Sequence, residues 1–292
     1  MESMLPAKPS SRPIPCTPVS MKIAGLQKLT LLDYPGRLAA TLFTPGCNLR
    51  CPFCHNAPLV EENGSAVLSD GSNIDCEYTP SSVLEFLAER KGRLTGVAIT
   101  GGEPLMQNGI EDFIRDIKGI GLDVKLDTNG SFPEKLDYLI SEGLVDYVAM
   151  DLKNSWEKYP ITVGLAADAV PIDFTGSGRK PAHYPAMDKI KTSFEMLKEG
   201  RVDYEFRTTV VKELHELSDI QAMASEVMKG FGDAEIMNGF ASKQLPKYFL
   251  QNFVDSGALL SSGYSAHPRE TMLEFLNAAK AICPTTQLRG ID

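Results

Sequence analysis

The chain has 292 residues, 43% hydrophobic and 23% charged, with 29 Lys and Arg against 38 Asp and Glu. A net charge of -9 disfavours a nucleic-acid binder, which needs a basic face. No apolar run approaches the ~20 residues that span a bilayer, so the expectation is a cytoplasmic α/β protein with no membrane or nucleic-acid partner.

Residues 1–20 carry Pro6, Pro9, Pro13, Pro15 and Pro18 among small residues, without the apolar core of a signal peptide. They read as a disordered N-terminal extension ahead of a single domain at 21–292. Within that domain, residues 38–43 predict a strand and 81–90 a helix, with Thr79-Pro80 as its start signal. Residues 96–100 predict a buried strand ending in Gly101-Gly102. Ile110, Phe113, Ile114 and Ile117 follow at helical spacing, closed by Gly119 and Gly121. The unit then repeats: strands at 123–126, 146–149, 204–211 and 235–237, helices at 133–142, 188–198, 217–229 and 271–281. Strand–helix alternation of this kind implies a mostly parallel sheet with helices outside. About six units favour an incomplete (β/α)6 TIM-like barrel over a full eight-unit one. Residues 154–185, with Pro160, Pro171, Pro181 and Pro185 and no clear period, read as a loop-rich insertion.

Active-site groups of parallel β/α folds sit at the C-terminal ends of strands. The unusual polar residues fall there: the cysteine loop, Gly101-Gly102-Glu103, Asp127-Thr128, Asp151, Lys153, and Arg207 to Thr209. Cys47, Cys51 and Cys54 stand at C-x3-C-x2-C spacing. Thiolates suit iron–sulfur clusters or zinc. A cubane normally takes four cysteines, so a three-cysteine loop leaves one iron open to a small ligand. The bland alternative is a structural zinc knob completed by His55 or Cys76. Cys16, Cys76 and Cys283 lack clustering and read as ordinary thiols. Gly178-Arg179-Lys180 reads as a solvated loop.

Thr44-Pro45-Gly46-Cys47 through Cys54-His55-Asn56 resembles the cluster loop of the radical S-adenosylmethionine superfamily, and Gly101-Gly102-Glu103-Pro104 resembles the loop holding the methionine amino group. Asp127-Thr128-Asn129-Gly130 and Met150-Asp151-Leu152-Lys153 are similar to strand ends of glycyl-radical-enzyme activases. Ile23-Ala24-Gly25-Leu26, Leu32-Asp33-Tyr34-Pro35-Gly36 and Leu288-Arg289-Gly290 most resemble activating proteins of anaerobic ribonucleoside-triphosphate reductase. Two features depart from that pattern: Asn238 stands where these activases tend to show Gln, and the stretch after Lys153 is long.

The resemblance implies one 4Fe-4S cluster on Cys47, Cys51 and Cys54, which binds S-adenosylmethionine and cleaves it reductively. It implies a glycyl-radical enzyme as partner, most simply anaerobic ribonucleotide reductase, and a flavodoxin or ferredoxin as electron donor. A formate-lyase-like partner, a small-molecule substrate and a non-catalytic iron–sulfur or zinc module are the alternatives. Gly101 and Gly102 would let backbone approach the cofactor, Glu103 would accept from its ammonium, and Phe53 would lie near the adenine. Asp151 and Lys153, on one strand face, would hold ribose hydroxyls and carboxylate, or else form a simple ion pair. Asp127, Thr128 and the Met150 carbonyl resemble a monovalent-cation site, though Asp127 could equally cap its turn. His215 could reach the cofactor from a neighbouring loop, and His55 could shield the cluster. Arg207 and Thr208, placed at a strand end, are candidates to touch cofactor or substrate. No catalytic side chain beyond the cluster and cofactor is assigned.

Overall fold

The computed structural model describes residues 21–61, 78–165, 184–231, 245–255 and 257–290. The readings for 1–20, Cys16, Cys76, 178–180 and 235–240 lie outside the described residues. Eight strands form one sheet in chain order: β1 (Gly25–Thr30), β2 (Ala39–Thr44), β3 (Gly96–Gly101), β4 (Asp123–Thr128), β5 (Tyr147–Asp151), β6 (Asp203–Val210), β7 (Lys247–Asn252) and β8 (Thr286–Arg289). β1 pairs antiparallel with β2, and every later neighbour pair is parallel. The sheet does not close, and β1 and β8 are its edges.

Helices fill the connections: α1 (Pro80–Glu89), α2 (Ile110–Ile120), α3 (Pro133–Ser141), the short α4 (Tyr159–Thr162), α5 (Pro185–Leu197), α6 (Leu217–Met228) and α7 (Arg269–Lys280). The strands β2 to β7 are thus the six β/α units expected, extended by β8 at one edge and β1 at the other. The strand expected at 235–237 lies outside the described residues, and β6 pairs with β7, Lys247–Asn252. Among the described residues no helix is long and apolar enough to cross a membrane.

Local chemistry explains the elements. Thr79 caps α1: its side chain accepts from the Ser82 amide while Ser82 Oγ accepts from the Thr79 amide, both at 3.1 Å, the reciprocal pair of a capping box. Ile110, Phe113, Ile114 and Ile117 put one fully buried stripe of α2 on the sheet, and Gly121 at φ 94 ends the helix in the left-handed conformation.

Strand alternation divides the sheet into two faces. Ile99, Leu126, Val148, Phe206 and Leu250 are buried in the main hydrophobic core. The alternate positions Lys125, Asp127, Asp151, Arg207 and Gln251 line cavities inside the curved sheet. Across that interior, Glu205 takes both guanidinium nitrogens of Arg289 at 2.7 and 2.9 Å and accepts from the Tyr147 hydroxyl at 2.8 Å.

The described part of the expected insertion is not loose. Asn154 Nδ2 donates to Thr162 Oγ1 and to the Leu214 carbonyl, and Ser155 Oγ and Lys158 Nζ donate to the two oxygens of Asp219. Tyr159, Thr162 and Val163 are fully buried. The anchors are polar and aperiodic, so no apolar pattern announced them. Residues 166–183 lie outside the described residues.

Candidate functional site

The cysteine loop leaves the end of β2 and is pinned amide by amide. Gly46 N donates to Leu59 O, Cys47 N to Val60 O, Arg50 N to Val163 O and Cys54 N to Cys51 O, at 2.8 to 3.0 Å. The loop after β3 docks on it directly, since Gly102 N donates to Thr44 O and Glu103 N to Gly46 O, each at 2.8 Å. Asn56 Nδ2 donates to Gly101 O at 2.9 Å and closes the other side. This contact refines the roles of the two glycines. A Cβ on Gly101 would stand 2.3 Å from Thr44 O, and one on Gly102 2.1 Å from Gly46 O. The missing side chains let loop approach loop, before any ligand is considered.

The thiols of Cys47, Cys51 and Cys54 share a pocket of ≈ 250 Å³ with Phe53, His55, Asn56, Gly101, Gly102, Asp127, Thr128, Asn129, Asp151, Lys153, Arg207, Thr209 and Gln251. Asp127, Arg207 and Gln251 also line a second cavity of ≈ 430 Å³ with Asp33, Lys125 and Arg289, so the interior continues past the first pocket. Most residues singled out from the sequence therefore meet at one place. Asn129 and Gln251 join them. Asn129 Nδ2 donates to Asn48 Oδ1 at 3.0 Å and lies 3.9 Å from Cys47 Sγ.

Three sequence assignments need correction. Glu103 does not face the pocket. It is fully buried, and its carboxylate accepts from the Leu105 and Asn129 amides and the Thr128 hydroxyl at 2.7 to 3.1 Å. It fastens the β3 loop to the β4 loop. His215 is buried too; its Nε2 sits 2.8 Å from the Lys153 carbonyl and its Nδ1 3.0 Å from the Val211 amide. It braces the strand end that carries Lys153 and does not line the pocket. Thr208 points to the outer face, donating to Leu152 O at 2.6 Å beside Tyr248, while Arg207 and Thr209, one residue either side, line the pocket. Cys283 is buried outside the pocket, 3.3 Å from Thr285 Oγ1.

Charge is laid out as a chain. Lys125 Nζ contacts Asp127 Oδ1. Arg207 NH1 reaches Asp127 Oδ2 at 3.1 Å and Arg207 NH2 reaches Asp151 Oδ1 at 3.1 Å. Asp151 Oδ2 then meets Lys153 Nζ at 2.8 Å. Burial pushes the Asp151 carboxyl up, but Lys153 and Arg207 outweigh it and hold it at about 2. Asp151 and Lys153 are therefore not a surface pair.

Burial pushes the thiols up as well, Cys47 to about 11, Cys51 to about 12, and Cys54 upward. Nearby Lys153 partly offsets this at all three. Buried thiols of this kind ionise when a soft metal binds them. No three His, Cys, Asp or Glu side chains among the described residues surround a single ion. Three soft ligands lining one pocket suit an iron–sulfur cluster.

Burial also raises the Glu103 carboxyl to about 7 against the pull of its three hydrogen bonds. Its folded value thus lies above its unfolded one. Between about pH 4.5 and about pH 7 the folded state holds a proton that the unfolded chain has released, so stability falls as pH rises across that window, by about 3 kcal/mol at most. Glu103→Gln is expected to flatten that slope. It should also cost about 1–3 kcal/mol throughout, because the amide presents a donor where a donor already points. Denaturant titrations at about pH 5 and about pH 8 measure both, and equal slopes for the two proteins would refute the assignment.

Known proteins resemble this chain in sequence and in fold. The model of the family described as the radical SAM superfamily matches residues 41–169. The chain is 31% identical over 208 residues to a protein of Methanocaldococcus jannaschii named "Putative glycyl-radical enzyme activating enzyme", covering 70% of this chain and 75% of that one. It is 31% identical over 135 residues to the pyruvate formate-lyase 1-activating enzyme of Escherichia coli K12, covering 45% of this chain and 52% of that relative. Among solved structures, Streptococcus suis SuiB bound to S-adenosylmethionine superposes with a TM-score of 0.56 at 12% identity, over 86% of this chain and 52% of that one, a likeness of fold.

Proposed function

The chain belongs to the radical S-adenosylmethionine superfamily, and from that premise we propose that it is an activase that places a glycyl radical on a partner enzyme, anaerobic ribonucleoside-triphosphate reductase being the preferred partner. The family implies a 4Fe-4S cluster and S-adenosylmethionine. The observation that carries the reading is the convergence of three buried thiols, the two close-packed glycine loops and the Asp151–Lys153 pair on one pocket. Cys47, Cys51 and Cys54 would hold the cluster, whose bound cofactor supplies a reductively generated 5′-deoxyadenosyl radical. Lys153 and Arg207 give the pocket cationic groups for a carboxylate. Asp151, Asn129, Thr209 and Gln251 offer polar atoms for ribose and amino groups, and Phe53, largely buried beside the thiols, offers an apolar face for the adenine.

The glycine substrate is supported by the relative in M. jannaschii, which matches over most of both chains. The reductase as partner rests on the terminal motifs around Asp33 and Arg289, which line the second cavity. The match to a pyruvate formate-lyase activase supports a formate-lyase-like partner as the second reading. A flavodoxin or ferredoxin would deliver the electron.

The test is anaerobic: the reconstituted, reduced protein is mixed with S-adenosylmethionine and, separately, with each candidate partner. 5′-Deoxyadenosine together with a glycyl-radical resonance on the reductase supports the first reading, and the same signal on the formate-lyase-like enzyme alone supports the second. An iron-loaded, reduced protein that forms no 5′-deoxyadenosine with either partner would overturn both.

A further inference from the structure

The resemblance drawn from Asp127, Thr128 and the strand end at Met150 implies a bound monovalent cation. The side chains present do not fit one. Both oxygens of the Asp127 carboxylate already meet cations of the chain, Oδ1 the Lys125 ammonium and Oδ2 the Arg207 guanidinium at 3.1 Å. The Thr128 hydroxyl is likewise engaged, donating to Glu103 Oε1 at 2.9 Å and accepting from the Gly130 amide at 3.1 Å. An alkali or alkaline-earth ion needs several free oxygen ligands, and here it would stand beside two positive charges.

Lys125 is the unusual member. It sits at mid-strand in β4, two residues before Asp127 and on the same face, and its side chain is only 2% exposed. An ammonium so removed from water must be balanced locally, and Asp127 is the carboxylate it contacts. Access is not what excludes a free ion. Lys125 and Asp127 line the second cavity with Asp33 and Pro35, through which a small ion could arrive.

We propose that the Lys125 ammonium acts as a chain-tethered monovalent cation, holding Asp127 in the charge chain that ends at Lys153, so that the pocket needs no added alkali ion. The proposal rests on the S-adenosylmethionine reading above. It makes Lys125 a positioning residue, acting through Asp127 and Arg207 on the groups that face the cofactor.

The test uses the iron-loaded protein and measures S-adenosylmethionine affinity by equilibrium binding at fixed ionic strength, in potassium, sodium or tetramethylammonium chloride. Wild-type affinity is expected to be the same in all three salts. Lys125→Met, which keeps the length and removes the charge, is expected to bind about tenfold or more weakly in tetramethylammonium. Potassium or sodium should restore it saturably by entering the vacated place. Lys125→Arg should stay salt-indifferent. A wild type that requires potassium or sodium overturns the proposal, and so does a Lys125→Met protein that is folded by circular dichroism yet equally weak, or equally strong, in every salt. Should Lys125→Met fail to fold, the wild-type salt series decides alone. A wild type that binds no S-adenosylmethionine in any salt would instead defeat the functional reading itself.

Discussion

Gly102→Ala is expected to abolish iron loading as completely as Cys51→Ala, although Gly102 supplies no ligand atom. The added Cβ would lie 2.1 Å from Gly46 O, 2.7 Å from Gly46 C and 2.9 Å from Leu59 O. All three are backbone atoms of the cysteine loop or of the turn that pins it, so no flexible side chain can yield. The loop must move, and Cys47, which follows Gly46 directly, moves with it. Gly101→Ala adds a second penalty, because Gly101 sits at φ +121 with Thr44 O 2.3 Å from its hypothetical Cβ; an L side chain in that conformation costs about 1–3 kcal/mol before any clash. The control is Gly119→Ala in α2, where nothing lies within 4 Å. An alanine there should stabilise the helix by about 0.5–1 kcal/mol and leave iron content unchanged. Iron and sulfide analysis after anaerobic reconstitution, with thermal melts of the iron-free proteins, separates the outcomes. A Gly102→Ala protein that loads iron like the wild type would show that the two loops need not meet as described.

What could be read from the sequence, and what could not, follows from how each feature is encoded. The cluster loop and the Gly101-Gly102 turn are contiguous, and their chemistry is carried by residue types that few other structures demand. α2 was legible because four isoleucine and phenylalanine positions repeat at helical spacing. The failures are of three kinds. Glu103 and His215 were placed by their neighbours in sequence, yet a one-residue change in direction turns a side chain from a pocket to a buried brace. Arg207, Thr208 and Thr209 share one strand end in the sequence, yet strand alternation turns Thr208 to the face opposite Arg207 and Thr209. β7 was missed because Lys247-Tyr248-Phe249-Leu250-Gln251-Asn252 is a short run with polar ends, and Gln251 was lost with it. Lys125 carries its own signal: a lysine amid Val124, Leu126 and a buried strand, two residues from a carboxylate, is costly unless the two are paired.

Arg207→Met is expected to be the most damaging change among residues that touch no sulfur. The guanidinium bridges Asp127 and Asp151, with contacts of 3.1 Å to each, and its side chain is 19% exposed against 15% and 29% for the carboxylates. Removing it takes one of two cations from each carboxylate, Lys125 remaining on Asp127 and Lys153 on Asp151, so the loss should approach the about 3–5 kcal/mol of a broken buried pair. Lysine should recover only part of this, since a point charge cannot span two carboxylates as a planar fork does. The effect must also depend on pH. Asp151 is held at about 2 in the folded protein, below its unfolded value near 3.9. Its stabilisation is therefore present above about pH 4 and is lost as pH falls toward 2. Without Arg207 the folded carboxyl moves up toward its unfolded value, so the deficit of Arg207→Met should be greatest near neutrality and shrink as acid protonates Asp151 in both proteins. Asp151→Asn should cost less beside Arg207→Met than alone, because in the double variant only the contact with Lys153 at 2.8 Å remains to be lost. Denaturant midpoints of the four proteins at about pH 7 and about pH 3.5 give the comparison. A deficit that is the same at both values, and additive with Asp151→Asn, would mean that Arg207 contributes packing and that its charge does not hold the chain together.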